Sequence, residues 1–441
     1  MASLGSSTVV QQLHRRILEA RANTDQLFQI LHEATFYERP IPERNRIVFY
    51  LGHLEAFDWN LLRDHLFALD APEADFDKLF AFGIDPVDGG LPADQPKDWP
   101  VLPEVRRYVQ SLREQIDNRL QSAAFSRTRA GEHSAETLLH VAIEHRLMHA
   151  ETLAYMFHRL PHSQKYPQAQ TPGAGNPVKN ELVEIPAGAA ILGLHREAAS
   201  PFGWDNEFDA VAVKVPEFRI QKYMVTNGEF LQFLEDGGYR NRELWSPADW
   251  EWKENSAVLH PTFWQKVDGD WLYRGMFELI PLPETWPVYV SHAEATAYAR
   301  WSGRFLPTEA QWHRAAYGAP QGTENDYTWG SAAPSPALGN FDFHRWDPVP
   351  VDAYPANQSA LGVAGLLGNG WEWTSTRFAP FPGFEPFAFY PGYSANFFDD
   401  KHYVIKGGSS RTAACLLRRS FRNWFQPRYQ YVYAGFRCAS E

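Results

Sequence analysis

Residues 140–155 read HVAIEHRLMHAETLAY, and the decision about the fold turns on what these histidines are for. The stretch reads as the centre of a helix running from about Ala135 to Arg159. His145 and His149 stand four apart and therefore share one helix face, where two imidazoles can chelate a single ion. The zincin pattern would place a glutamate directly after the first histidine. Arg146 holds that position, which disfavours a metalloprotease. On spacing alone, an i,i+4 histidine pair is more often a surface or satisfied core pair than a ligand set. His140 and His158 read as structural or exposed residues.

Working outward, three more helical segments precede this one. From Thr8 to Ala34, apolar residues fall at Val10, Leu13, Ile17, Leu27 and Leu31, close to helical spacing. IPERNRIVFYLGHLEAFDWNLLRDHLFAL (41–69) and LPEVRRYVQSLREQIDNRLQSA (102–123) supply the second and third helices. Between them, FGIDPVDGGLPADQPKDWP (82–100) is dense in Gly, Pro and Asp and reads as a long ordered or lid-like loop. Four amphipathic helices make a bundle, and bundle cores are where metal sites are built from facing side chains. His53 lies on the second helix amid Val48, Phe49, Leu51 and Phe57. Taken singly it reads as a core histidine bonded to a carbonyl. Facing the helix-four pair, it would complete a three-imidazole set.

A chain of 441 residues is too long for one ordinary core, so two domains are expected. With 32 Pro, 30 Gly and 15% aromatic residues, much of it must be turn-rich and folded around large flat side chains. A net charge of −12 argues against a nucleic-acid partner, which would call for a basic stripe. No stretch approaches the roughly 18 apolar residues of a membrane-spanning helix. The first twenty residues also lack the apolar run of a secretory signal. Cys415 and Cys438 are the only cysteines, too few for a disulfide framework, so a cytoplasmic location is expected. A single bridge between them stays open. The expected layout is a helical bundle over 1–163, a linker over 164–180, and a second domain over 181–441 built from short strands, small helices and a long Trp/Gly/Pro-rich tail.

Five blocks of that second half carry a resemblance: VEIPAGAAILG, FRIQKYMVTNGEFLQFLEDGGY, WPVYVSHAEATAYARWSGRFLPTEAQWHRAAYG, GLLGNGWEWTS and KGGSSRTAACLLRRSFRNWFQPRYQYVYAGFRCA. In this order they resemble the formylglycine-generating-enzyme-like domain, a C-type-lectin-like variant with little regular structure. The closely spaced cysteine pair of formylglycine chemistry has no counterpart, since Cys415 and Cys438 lie 23 residues apart. YLGHLEAF and EHRLMHAETL resemble the metal signature of a DinB-like four-helix bundle. An α+β chain with a DinB-like bundle followed by this domain is similar to the sulfoxide synthases of ergothioneine biosynthesis, which are nonheme iron oxygenases.

The resemblance implies that His53, His145 and His149 hold Fe(II). It implies a small-molecule acceptor, hercynine (Nα-trimethylhistidine), a thiol donor and dioxygen, with no nucleic-acid or membrane partner. Imidazole suits iron, and a three-ligand face leaves positions open. Glu55, Asp58, Glu144 and Glu151 are candidates for orienting the imidazoles, or ordinary helix-surface ion pairs. A trimethylammonium group needs an aromatic-lined pocket, and Asn423 and Trp424 match substrate-contacting positions; Trp424 reads equally as core. A tyrosine that donates a proton in actinobacterial members matches Tyr390, with Tyr393 as second choice. Phe425 stands where those members carry an acidic residue for γ-glutamylcysteine, and Met148 where they carry a glutamine. Both departures favour free cysteine. Arg411, Arg418, Arg419, Arg422 and Arg428 form a basic cluster in the sequence that could hold substrate carboxylates, and Arg106 and Arg107 could do so from the bundle. The site is expected in a cleft between the two domains.

Alternatives on the same architecture are an ovothiol-type synthase acting on plain histidine and a selenoneine synthase using a selenium donor. From another class, the chain could be a lectin-like binding protein on a bundle that has lost its metal.

Overall fold

The computed structural model describes residues 2–67, 69, 73–81, 91–121, 134–169, 175, 177–197 and 201–441, the side chains of 2–8 excepted. The chain divides into two compact units, Met1–Gln168 and Ala169–Glu441.

The first unit is built on four long helices: α1 (Ala2–Gln29), α2 (Ile47–Leu62), α4 (Leu102–Gln121) and α5 (Ala135–Arg159), with a short α3 (Ala74–Leu79) between the second and third. α4 follows the amphipathic rule closely, burying Leu102, Val105, Tyr108, Val109, Leu112, Ile116 and Leu120 along one stripe. α2 buries residues on every face, including Val48, Tyr50, Leu54 and Trp59, as a central helix must. α5 starts at Ser134, whose hydroxyl accepts the Thr137 N–H at 3.1 Å.

Two helix ends differ from the sequence pattern, each for a tertiary reason. α1 stops at Gln29 rather than Ala34 because His32 is extended and its N–H donates to the Gln164 carbonyl. α2 begins at Ile47, not 41, because Arg46 is held extended: its guanidinium donates to Asp94 and to the Tyr37 carbonyl, while the Ile47 N–H donates to the Glu38 carbonyl. The helix gives way at Arg63–Phe67 to a π-type turn. Of the segment read as a lid-like loop, residues 82–90 lie outside the described residues. Its remainder is anchored by the Trp99 indole N–H donating to Asp94. Lys165 donates to the Phe157 carbonyl and Tyr166 N–H to that of Ile30, which keeps the start of the expected linker with the bundle. Linker residues 170–174 and 176 lie outside the described residues.

The second unit opens with short strands β1 (Leu182–Ile185), β2 (Gly188–Leu192), β3 (Val211–Val215) and β4 (Phe218–Gln221); β2 and β3 form an antiparallel ribbon. Helices α6 (Asn227–Glu235) and α7 (Pro247–Asn255) precede the antiparallel β5 (Trp264–Val267), β6 (Asp270–Arg274) and β7 (Leu279–Pro281). Helices α8 (His292–Trp301) and α9 (Glu309–Tyr317) follow. α6, α8 and α9 each start on a reciprocal capping box, Thr226/Glu229, Ser291/Glu294 and Thr308/Gln311, a signature plain in TNGE, SHAE and TEAQ.

After a long irregular stretch comes the sheet β10-β9-β8-β11, formed by β8 (Gly370–Arg377), β9 (Tyr403–Gly408), β10 (Asn423–Phe425) and β11 (Ala434–Gly435). β12 (Ala439–Ser440) returns the chain end to β4. The centre is polar as well as aromatic. Arg437, fully buried, reaches Glu372 with both arms of its fork at 2.7 Å and donates to the carbonyls of Gln221, Lys222 and Ala364, joining three distant segments. Cys415 and Cys438 are not joined to each other by a disulfide. Among the described residues no helix is long and apolar enough to cross a membrane.

Candidate metal centre

α2 contributes one histidine and α5 two, and the packing of the helices turns all three inward. His53, His145 and His149 are buried, and one potential ligand atom from each lies within 4.8 Å of the others. The Nε2 atoms of His145 and His149 are 3.2 Å apart. Two ligands at about 2.1 Å from one ion, set at right angles, would be about 3 Å apart, so this pair is already spaced for chelation.

His53 Nδ1 lies 2.7 Å from the Phe80 carbonyl oxygen, just beyond α3. A carbonyl only accepts, so Nδ1 carries the proton and Nε2 presents its lone pair. Aromatic faces pack the imidazoles: Phe49 stacks on His53 at 4.8 Å and Phe57 on His145 at 3.4 Å.

Burial keeps all three neutral, the state that ligation needs. Desolvation lowers His53 to about 4, with Arg146 adding to the fall and the Phe80 bond opposing it. His145 and His149 fall well below the ordinary imidazole value, through desolvation first and then mutual repulsion with neighbouring imidazoles and arginines. A buried neutral three-nitrogen face suits a divalent transition ion such as Fe(II), Co(II) or Zn(II). The donor set therefore fits the implied metal, without choosing among these ions.

Two carboxylates expected as imidazole orienters do something else. Glu55 and Asp58 are buried, not surface residues, and they bind arginines. Arg146 approaches Glu55 at 2.8 Å and Asp58 at 2.6 Å, and Arg113 donates to Glu55 at 2.7 Å. The residue that actually orients His53 is Phe80, through its main chain. Sequence could not name it. A Cβ on Gly52 would sit 2.5 Å from the Phe80 ring, so this mid-helix glycine is what lets Phe80 reach His53.

In the second unit, β10 carries Asn423, Trp424 and Phe425, paired with Ile405, Val404 and Tyr403 of β9. Trp424 is half-buried within aromatic rings: Phe378 stacks on it at 4.1 Å, and Tyr393 and Phe397 stand at 5.5 Å. Tyr393 stacks in turn on the buried Trp204 at 3.9 Å. Tyr390 is 5.7 Å from the Tyr393 ring, one step farther out. Phe425 stacks on Tyr429.

Four of the five arginines of the basic cluster seen in the sequence are paired with carboxylates. Arg418 pairs with Glu207, Arg419 with Glu324, Arg422 with Glu309 at 2.9 Å and Arg428 with Asp249 at 3.0 Å, while Arg411 lies over Trp346. Arg422 is 3% exposed, so its guanidinium is a structural ion pair rather than an open anion site. In the first unit Arg106 and Arg107 are exposed on α4, Arg106 being 3.5 Å from Glu33. Met148 is half-buried on α5 beside His149 in sequence.

Comparison with known proteins agrees with this division. The Sulfatase-modifying factor enzyme 1-like domain matches residues 168–441, and the DinB superfamily matches residues 16–153. A hercynine oxygenase of Mycolicibacterium thermoresistibile is 39% identical over 312 residues, 66% of this chain and 69% of that protein. One from Mycolicibacterium smegmatis is 41% identical over 273 residues, covering 60% and 63%. Ergothioneine biosynthesis protein 1 of Neurospora crassa is 28% identical over 500 residues, spanning 94% of this chain but 56% of its own length.

Proposed function

The chain belongs to the hercynine oxygenase family of ergothioneine biosynthesis, combining a DinB-type bundle with a sulfatase-modifying-factor-like domain, and from that membership we propose that it is a sulfoxide synthase. It joins a thiol, with free cysteine preferred, to imidazole C2 of hercynine. In the balanced reaction the C2–H and the S–H are lost, one atom of dioxygen ends on sulfur and the other leaves as water. The observation that carries this reading is the buried set of three neutral imidazoles on α2 and α5. Fe(II), when bound there, supplies Lewis acidity toward the thiol and electrons for dioxygen reduction.

The chain's own residues have separable tasks. His53, held by Phe80, joins His145 and His149 to form the ligand face, and Phe49 and Phe57 keep bulk water from it. The half-buried rings of Trp424 and Phe397 offer the π faces that receive a quaternary ammonium, which can make no hydrogen bond of its own, and Phe378, stacked beneath Trp424, fixes that ring. Asn423 stands beside them on β10. Tyr390 is the better match in sequence, but Tyr393 is the tyrosine whose ring stands beside Trp424, and this reverses the order: Tyr393 becomes the preferred holder of a proton at Oη, with Tyr390 behind it. Phe425, stacked on Tyr429, offers a flat apolar surface and no charge, which suits a small thiol over a γ-glutamyl one.

The test is mass spectrometry of products from Fe(II)-loaded protein supplied with oxygen, hercynine and either cysteine or γ-glutamylcysteine. A hercynyl-cysteine sulfoxide is expected. Preference for plain histidine as acceptor would sink the reading.

A further inference from the structure

Arg146 follows the first α5 ligand directly and is 1% exposed, as enclosed as any charged group in the first unit. Its guanidinium points to α2. It donates to Asp58 at 2.6 and 3.2 Å and to the Leu54 carbonyl at 3.0 Å, and forms an ion pair with Glu55 at 2.8 Å. All three partners lie within five residues of His53. A further nitrogen reaches the Thr24 hydroxyl of α1 at 3.4 Å. Around them, Arg113 of α4 pairs with Glu55 and Asp25, and Arg21 of α1 with Glu55 and Asp117, so all four long helices are joined through one polar knot.

Such a knot is an expensive way to gain stability. Each buried ion carries a desolvation penalty of several kcal/mol, and buried pairs often stabilise no more than apolar side chains of the same volume. What charge pairs do supply is a single permitted geometry. Successive helical residues turn by roughly 100°, so Arg146 leaves α5 about 100° round from His145, while Glu55 and Asp58 leave α2 on a face well away from His53. Imidazole contact and ion-pair contact therefore constrain the two helices from different directions. Apolar packing alone would tolerate a small rotation of α5 on α2, and such a rotation would open the imidazole set.

We propose that Arg146 is a positioning residue for the ligand face: by gripping Glu55, Asp58 and the Leu54 carbonyl it holds α5 at the rotation on α2 that makes His53, His145 and His149 converge. The planar fork is needed because one group must satisfy two carboxylates and a carbonyl at once, which a lysine ammonium on a flexible stem does not do with fixed geometry. The inference rests on the three histidines being a metal site, and its test separates the two.

The full chain would be titrated anaerobically with Fe(II) against a competing chelator, and the Fe(II)–nitric oxide adduct examined by electron paramagnetic resonance. His145→Ala tests the site itself: unchanged binding there would refute the metal reading regardless of Arg146. With that control lost as expected, Arg146→Lys should bind Fe(II) at least about tenfold more weakly and give a broadened or shifted adduct spectrum, while the metal-free protein melts as a folded species. Wild-type affinity and spectrum in Arg146→Lys would overturn the proposal. Should that variant not fold, the uncharged set Arg146→Met, Glu55→Gln, Asp58→Asn removes these three charges together and leaves Arg21 its Asp117 and Arg113 its Asp25. Weakened Fe(II) binding in that folded protein supports the positioning role, and wild-type binding overturns it.

Discussion

His145 shows how far a single residue can be read. Its sequence neighbours allow a helical pair and no more; its chemistry depends on His53, 92 positions earlier, arriving opposite it. Replacing any of the three by alanine should lower Fe(II) affinity more than about 100-fold, the upper end of what losing a merely orienting residue costs, as measured by metal content after anaerobic loading. Tyr393→Phe should move product from sulfoxide toward oxidised thiol, with Tyr390→Phe much less affected; equal effects would remove Tyr393 from its role. A histidine of the second unit offers a separate pH test. His292, buried against Tyr403 and 3.2 Å from the Thr374 carbonyl, is lowered to about 4 by desolvation, with Arg377 adding to the fall and Asp249 and Thr374 opposing it. Because its folded value lies below the unfolded 6.5, its contribution is complete above 6.5 and is lost as pH falls toward 4. That difference corresponds to at most about 3.4 kcal/mol. His292→Gln should flatten the dependence of unfolding free energy on pH across this window in urea titrations.

At the level of elements, patterns of period 3.6 located the four long helices. They missed the ends of α1 and α2, where His32 and Arg46 answer to partners distant in sequence. α3 went unforeseen because six residues cannot declare a period. The point where element meets site is Gly52. In an exposed helix, Gly→Ala gains about 1 kcal/mol. Here the new methyl would press on the Phe80 ring, whose residue holds His53. Gly52→Ala should therefore lower the melting temperature, by overpacking worth about 1–3 kcal/mol, and weaken Fe(II) binding as well. A more stable protein with unchanged affinity would refute this account.

On the scale of the whole molecule, all three histidines of the candidate site belong to the unit Met1–Gln168. Loading with metal at about 100 times its dissociation constant should add about 2.7 kcal/mol to that unit. Hydrogen exchange should slow in α2 and α5 on loading and return to its starting rate when chelator is added. The sequence by itself determined the family, the two-part α+β order and the three histidines, because helical periodicity and ordered motif blocks are local properties of a chain. It also made Phe425 and Met148 legible as departures. Only tertiary structure decided which groups surround those histidines. Glu55 and Asp58 left the imidazoles for Arg146, Phe80 supplied the carbonyl, and Arg418, Arg419, Arg422 and Arg428 each met a carboxylate far away in sequence. The reason is physical: a buried charge or N–H must find its partner wherever the fold delivers one, and no spacing rule records that meeting.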